Sequence, residues 1–285
     1  LKVTRELKWR KPISSLNLIL TSHCWQQDHN GYTHQDPGFI DHMVNKAPSV
    51  TRIYLPADAN SLIATFDMCS KLKDTINVIT ASKHPSFQWL TMAQAEKHVK
   101  KGIGVWDFAC LNDSKKPDVV IACAGDTPTV ESVALVTYIK KYLPKLNVRF
   151  INVVNLFRLL PKTEHPEGLT DKEFNELFTT DKPIIFSFHG YPRVIKEMLY
   201  NRENHNLSVF GYEEEGTITT SFDMRVKNRI DRYNLLKTVA SVVKVAPATK
   251  AKIISDMDKK LKEHKKFICE YGIDTKEFTD WKFEK

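Results

Sequence analysis

Between Trp25 and Phe39 the chain carries Gln26-Gln27-Asp28-His29-Asn30-Gly31-Tyr32-Thr33-His34-Gln35-Asp36-Pro37-Gly38, with no aliphatic side chain among them. This polar crowd follows directly on the apolar run Leu16-Asn17-Leu18-Ile19-Leu20. Polarity at that density beside an apolar strand is costly unless water or a ligand satisfies it. Imidazole is half protonated near neutral pH, so His29 and His34 suit proton transfer to and from hydroxyl and carbonyl oxygens. Gln27 and Asn30 add paired donors and acceptors that suit sugar hydroxyls. The histidines lack both a H-E-x-x-H frame and a cysteine partner, which weakens a zinc reading.

Other segments carry weaker signals. Gly125-Asp126-Thr127-Pro128-Thr129 lies between a strand and a helix, where helix N-termini cradle phosphates. It has one glycine and no P-loop lysine, so it reads as a plain strand-to-helix turn. His189-Gly190-Tyr191 closes another strand, and a lone histidine there reads as structural or hydrogen-bonded. The triplet Glu213-Glu214-Glu215 has no calcium-loop spacing and reads as a solvated turn.

The elements that must position these groups alternate between strand-length apolar runs and helical patterns, the signature of an α/β fold with largely parallel sheets. Leu16 to Leu20 reads as a buried strand, followed by strands over Val50 to Leu55 and Ile76 to Thr80. Between the last two, Asn60 reads as the cap of a helix with an apolar stripe at Leu62, Ile63, Phe66 and Cys69. A polar stretch with proline, Leu111 to Pro117, reads as a linker dividing the chain into domains 1–112 and 113–285. Each is expected to be a largely parallel sheet flanked by helices. The pattern restarts with strands at Val119 to Ala124, Val148 to Val154 and Pro183 to Phe188. Pro128 reads as a first helical position, and Thr170-Asp171-Lys172-Glu173 as a capping box.

Composition bounds the classes. With 285 residues and 42% apolar content, the chain can bury one large core or two ordinary ones. The net charge is +8, but the densest lysine group, Lys250 to Lys266, is interleaved with Asp256, Asp258 and Glu263, a solvated helix face rather than a nucleic-acid stripe. No apolar run approaches the roughly 20 residues of a membrane span. Five cysteines without a C-x-x-C pair read as reduced thiols in a cytoplasmic protein. A start at Leu1 without methionine reads as a fragment of a longer chain.

The stretch Gln27 to Gly38 resembles the signature of the phosphoketolases, thiamine-diphosphate enzymes acting on xylulose 5-phosphate and fructose 6-phosphate. Trp9-Arg10-Lys11-Pro12, Tyr54 to Asn60, Cys123 to Thr129, Leu177 to Pro183, His189-Gly190-Tyr191 and Gly211 to Thr217 resemble family segments in the same order. The resemblance runs from about residue 1 to Trp281. It implies the last third of a longer enzyme, holding the second half of a pyrimidine-binding domain and a transketolase-like C-terminal domain. The diphosphate and metal motif, and the glutamate that activates the aminopyrimidine, would lie upstream.

By the same resemblance, His29 and His34 do acid/base work, Gln27 and Asn30 contact substrate, and Lys83 and Arg5 hold phosphate. A phosphate dianion needs fixed cations, and arginine offers a two-pronged fork. Gln26 departs from many relatives, which carry arginine there. The family implies thiamine diphosphate with magnesium or calcium in the parent, sugar phosphate and inorganic phosphate as partners, and a homodimer. No metal ligand is assigned in this chain, and the fragment alone is expected to be inactive and to bind the cofactor weakly or not at all. Two other readings stand beside this one, a transketolase-like two-carbon transferase and a non-catalytic C-terminal interaction module. Transketolases would carry an aspartate-containing Gly-Glu-Asp-Gly type of signature where this chain has Gln27 to Gly31.

Overall fold

A computed structural model describes residues 1–21, 23–26, 37–215 and 218–283. Gln27, His29, Asn30 and His34 therefore lie outside the described residues. After a short helix α1 (Lys2–Glu6), strands β1 (Leu16–Leu20), β2 (Thr51–Tyr54) and β3 (Ile76–Thr80) form a parallel sheet in the order β1-β3-β2. Helices α2 (Gly38–Val44) and α3 (Ala59–Lys71) connect them, and α4 (Met92–Lys101) follows.

The second sheet holds β4 (Ile103–Val105), β5 (Val119–Ala124), β6 (Val148–Val153), β7 (Ile184–Phe188) and β8 (Leu207–Phe210). Their order is β4-β6-β5-β7-β8, all parallel except β4, which runs antiparallel to β6. Every residue of β5, β6 and β7 is buried, as strands covered on both faces should be. Helices α5 (Asp126–Tyr142), α6 (Asp171–Phe178) and α7 (Pro192–Met198) are the connections. The chain then closes with α8 (Ser221–Lys227), α9 (Arg232–Val242), α10 (Pro247–Tyr271) and α11 (Lys276–Thr279). Both members of the capping box at Thr170 and Glu173 are formed.

The two sheets share one apolar core, in which Ile53, Leu55 and Val78 of the first meet Val120, Ala122 and Val153 of the second. Leu55 N–H donates to Val154 O at 2.7 Å, so backbone as well as side chains joins them. All five cysteines are free thiols.

Four local readings are corrected. β1 is not buried: Leu16 and Ile19 are 51% and 47% exposed. It is an edge strand with β3 on one side only, so Leu18 and Leu20 pack partly against the core while Leu16 and Ile19 stay exposed. Asp58, not Asn60, caps α3, its carboxylate accepting Ser61 N–H at 2.7 Å. Asn60 instead donates to Leu90 O. The stripe on α3 also splits, because Ala64, Thr65 and Cys69 form the buried face while Ile63 and Phe66 stay exposed. Pro128 is the third residue of α5 rather than the first; its missing N–H costs nothing there, since first-turn donors have no intrahelical partner.

Candidate active site

The parallel strands aim their carboxyl ends at one region. His23 to Gln26 follow β1, Asp58 follows β2, Ser82 and Lys83 follow β3, Asp126 follows β5 and His189 follows β7. In the second sheet, β5 connects to β6 on one side, and β6 then crosses back past β5 to β7. The crevice at the ends of β5 and β7 is thus a topological switch point, where open α/β sheets bind ligands. Asp126 and His189 stand on its two sides.

Into that crevice goes the turn that opens the polar stretch. His23 Nε2 donates to Asp126 Oδ1 at 2.5 Å, and its ring stands edge-on to His189 with centroids 4.5 Å apart. Cys24 Sγ and Trp25 Nε1 both donate to His189 O, at 3.0 and 2.8 Å. Pro37, where the description resumes, lies against Gly190. The two ends of the polar stretch are therefore both seated at the carboxyl ends of the strands.

The electrostatics follow from burial and pairing. Burial alone would raise Asp126, but the charge of His23 and its hydrogen bond outweigh that and hold the carboxyl well below the usual carboxylate range. Its place in the first turn of α5, with Thr127 N–H donating at 2.6 Å, favours the anion further. Burial lowers His189 to about 3, so its imidazole is neutral. Burial and the nearby Asp126 charge push the Cys24 thiol well up, which leaves it protonated and inert.

A cavity of about 300 Å³ opens between the sheets, lined among others by Asp58, Thr80, Ser82, His84 and Asp126. Its far wall, Ser82 to Leu90, is tied down from two sides. Gln26 Nε2 donates to Ser82 Oγ at 2.7 Å while its Oε1 accepts Lys83 N–H at 3.0 Å. Asp58 Oδ2 accepts from Gln88 Nε2, Trp89 N–H and Leu90 N–H at 2.6, 2.9 and 2.8 Å.

Of the residues singled out from the sequence, Lys83 is exposed after the carboxyl end of β3, between Ser82 and His84, which line this cavity. Arg5 lies on α1 beside Asp74, which precedes the amino end of the same strand. One copy of the chain therefore does not bring Arg5 and Lys83 together. His29, His34, Gln27 and Asn30 belong to the segment outside the described residues, whose two flanks are the turn at His23 to Gln26 and Pro37.

The described residues do not fit a diphosphate and its metal ion. Among them, only His23, Asp126 and His189 gather three metal-ligating side chains, and these are buried. The His23–Asp126 contact is closed at 2.5 Å, whereas donors sharing an ion bound at about 2 Å stand further apart. Magnesium also calls for an oxygen set that two imidazoles do not supply. The trio is a packed clamp, closed by the His23–Asp126 hydrogen bond and the edge-on contact of the His23 and His189 rings.

Sequence reasoning missed His23, Asp58 and the pairing role of Gln26, and took Asp126 for part of a plain turn; His189, read as structural or hydrogen-bonded, is buried with its carbonyl accepting from Cys24 and Trp25. The available signal was positional, since each follows the last residue of a parallel strand. Gly125 carried a second one. Its φ of +101° and ψ of 164° fall in a region essentially confined to glycine, and a Cβ would stand 2.8 Å from His189 Cβ. Its single glycine serves the approach of His189.

Comparison with known families follows this architecture. Residues 1–72 match the family described as D-xylulose 5-phosphate/D-fructose 6-phosphate phosphoketolase, and residues 83–283 match its C-terminal domain. A probable phosphoketolase of Clostridium acetobutylicum is 56% identical over 283 residues, covering 99% of this chain and 36% of that protein. One from Chlorobaculum tepidum is 53% identical over 288 residues, again with 36% of its length covered. The chain thus spans about a third of the length of these relatives. Among solved structures, a transketolase from Campylobacter jejuni superposes with a TM-score of 0.56 at 14% identity, over 79% of this chain and 31% of that one, a likeness of fold alone. The sequence identity along its whole length and the two family matches establish that the chain belongs to the D-xylulose 5-phosphate/D-fructose 6-phosphate phosphoketolase family.

Proposed function

We propose that this chain is the pyrimidine-side and C-terminal part of a phosphoketolase that converts xylulose 5-phosphate or fructose 6-phosphate and inorganic phosphate into acetyl phosphate, an aldose phosphate and water. The observation that carries the reading is the 56% identity to a probable phosphoketolase across 99% of the chain. In this reading residues 1–112 hold the second half of a pyrimidine-binding domain and 113–285 the C-terminal domain, with β4 of the first part pairing onto the edge of the second sheet. The parent is a cytoplasmic homodimer using thiamine diphosphate with magnesium or calcium, held mainly by upstream residues. That cofactor supplies the carbon–carbon cleavage chemistry.

This chain's residues bind substrate and move protons. His29 and His34 exchange protons with the substrate's hydroxyl and carbonyl oxygens, a role that suits imidazole near neutral pH. Gln27 and Asn30 hold hydroxyls. Lys83, exposed beside the cavity, holds phosphate. Arg5, at the other end of β3, serves as a phosphate contact only toward a site formed with another copy of the chain. The buried clamp of His23, Asp126 and His189 sets where the polar stretch leaves the crevice.

The test is phosphorus NMR of the full-length enzyme with thiamine diphosphate, magnesium, xylulose 5-phosphate and inorganic phosphate. Growth of an acetyl phosphate signal is expected. Two-carbon transfer to an added aldose phosphate, with no acyl phosphate formed, would replace this reading with a transketolase-like one.

A further inference from the structure

We propose that Trp281 and Phe283 are positioning residues that brace the Ser82 to Leu90 wall, whose backbone Gln26 and Asp58 hold by hydrogen bonds. This rests on the assignment of Lys83 to phosphate made above. After α11 the chain runs beside α5 and Phe108 to Leu111 and sets two aromatic rings against the wall. Trp281 meets Phe87 edge-on at 5.2 Å, and Phe283 meets Trp89 at 6.2 Å and Phe108 at 5.8 Å.

The strap is held at its own base. The Arg232 guanidinium lies 4.8 Å over the Trp281 ring, and Arg232 is fixed by a two-pronged contact with buried Glu131, at 3.0 Å to each oxygen. A rigid run therefore leads from α5 through Glu131 and Arg232 to Trp281 and on to Phe87. Phe87 is four residues from Lys83, and the intervening His84, Pro85 and Ser86 all line the cavity.

The need for such a strap follows from the wall itself. Ser82 to Leu90 lies outside every helix and strand, and Lys83 to Ser86 are exposed. A long lysine side chain on such a segment gains useful precision only if the backbone beneath it is fixed. Gln26 fixes the start and Asp58 the end, while Trp281 bears on the middle at Phe87 and Phe283 on Trp89. Aromatic contacts of this kind contribute on the order of 1 kcal/mol each beyond their buried area.

The test uses the full-length enzyme with Trp281→Ala, Trp281→Phe, Phe283→Ala and Lys83→Ala, reading hydrogen exchange of the 82–90 segment and the kinetics with phosphate. The alanine variants at 281 and 283 are expected to speed exchange at the Trp89 and Leu90 amides about tenfold. They are also expected to raise the KM for phosphate several-fold with kcat largely kept, and Trp281→Phe to restore both. Unchanged exchange in the alanine variants overturns the strap, whatever the kinetics. If Trp281→Ala fails to fold, Phe283→Ala carries the same readout. If Lys83→Ala leaves the phosphate KM at its original value, the assignment of Lys83 falls, while the exchange data still decide the strap.

Discussion

His23 Nε2 lies 2.5 Å from Asp126 Oδ1 across 103 residues of sequence, tying the residue that opens the polar stretch to the first turn of α5 in the other sheet. The pair is buried, and a charge left without its partner in such a place is strongly disfavoured. His23→Ala is expected to destabilise the chain by about 3 kcal/mol, as removal of one member of a buried pair does. Urea titration measures this. A change within about 0.5 kcal/mol, the range of ordinary surface substitutions, would mean that the pair holds nothing in place.

Gly125→Ala tests the other side of the crevice. The backbone there is glycine-only, and the added methyl would overlap His189 Cβ. A loss of at least about 2 kcal/mol is expected from the conformation and the overlap together. The companion substitution Gly272→Ala, also at positive φ but with open space around it, is expected to cost less, about 1 kcal/mol. Equal losses at the two positions would remove the argument that Gly125 is there for the approach of His189.

Acid sensitivity follows from His189. Its pKa falls from 6.5 unfolded to about 3 folded, so between those values the unfolded chain binds the extra proton. Stability conferred by this group is therefore complete above pH 6.5 and is lost as pH falls toward 3. From pH 6.5 to 5 the loss is about 2 kcal/mol. Asp231, pushed up to about 6 by burial, works in the opposite sense, since its protonated form is favoured in the fold and its contribution fades as pH rises. The His189 effect is accordingly read as the difference between wild type and His189→Asn in urea titrations at several pH values. A difference that stays constant from pH 7 to 5 would contradict it.

The strands β5 to β7 were legible because strands covered on both faces read as unbroken apolar runs. β4 was not legible: Ile103-Gly104-Val105 is three residues long with glycine at its centre, too short for periodicity to show. The clamp escaped for a different reason. His23, Asp126 and His189 are distant in sequence, and only the strand order, with its reversal at β5 and β7, brings them to one crevice. Chain pattern reports local periodicity and composition, while a site built at a switch point is a property of topology. The exposed Leu16 and Ile19 illustrate the converse, since the apolar run was real and its burial depended on neighbours that this sheet lacks.

The central claim is that the stretch seated by this clamp carries the working histidines of a phosphoketolase. The most direct measurement is acetyl phosphate turnover by the full-length enzyme with His29→Ala or His34→Ala, alongside thermal melting of each variant. Turnover about a hundredfold lower or more in at least the His34 variant, at an unchanged melting temperature, is the predicted result for a lost general acid or base. Near-normal turnover in both variants would contradict it.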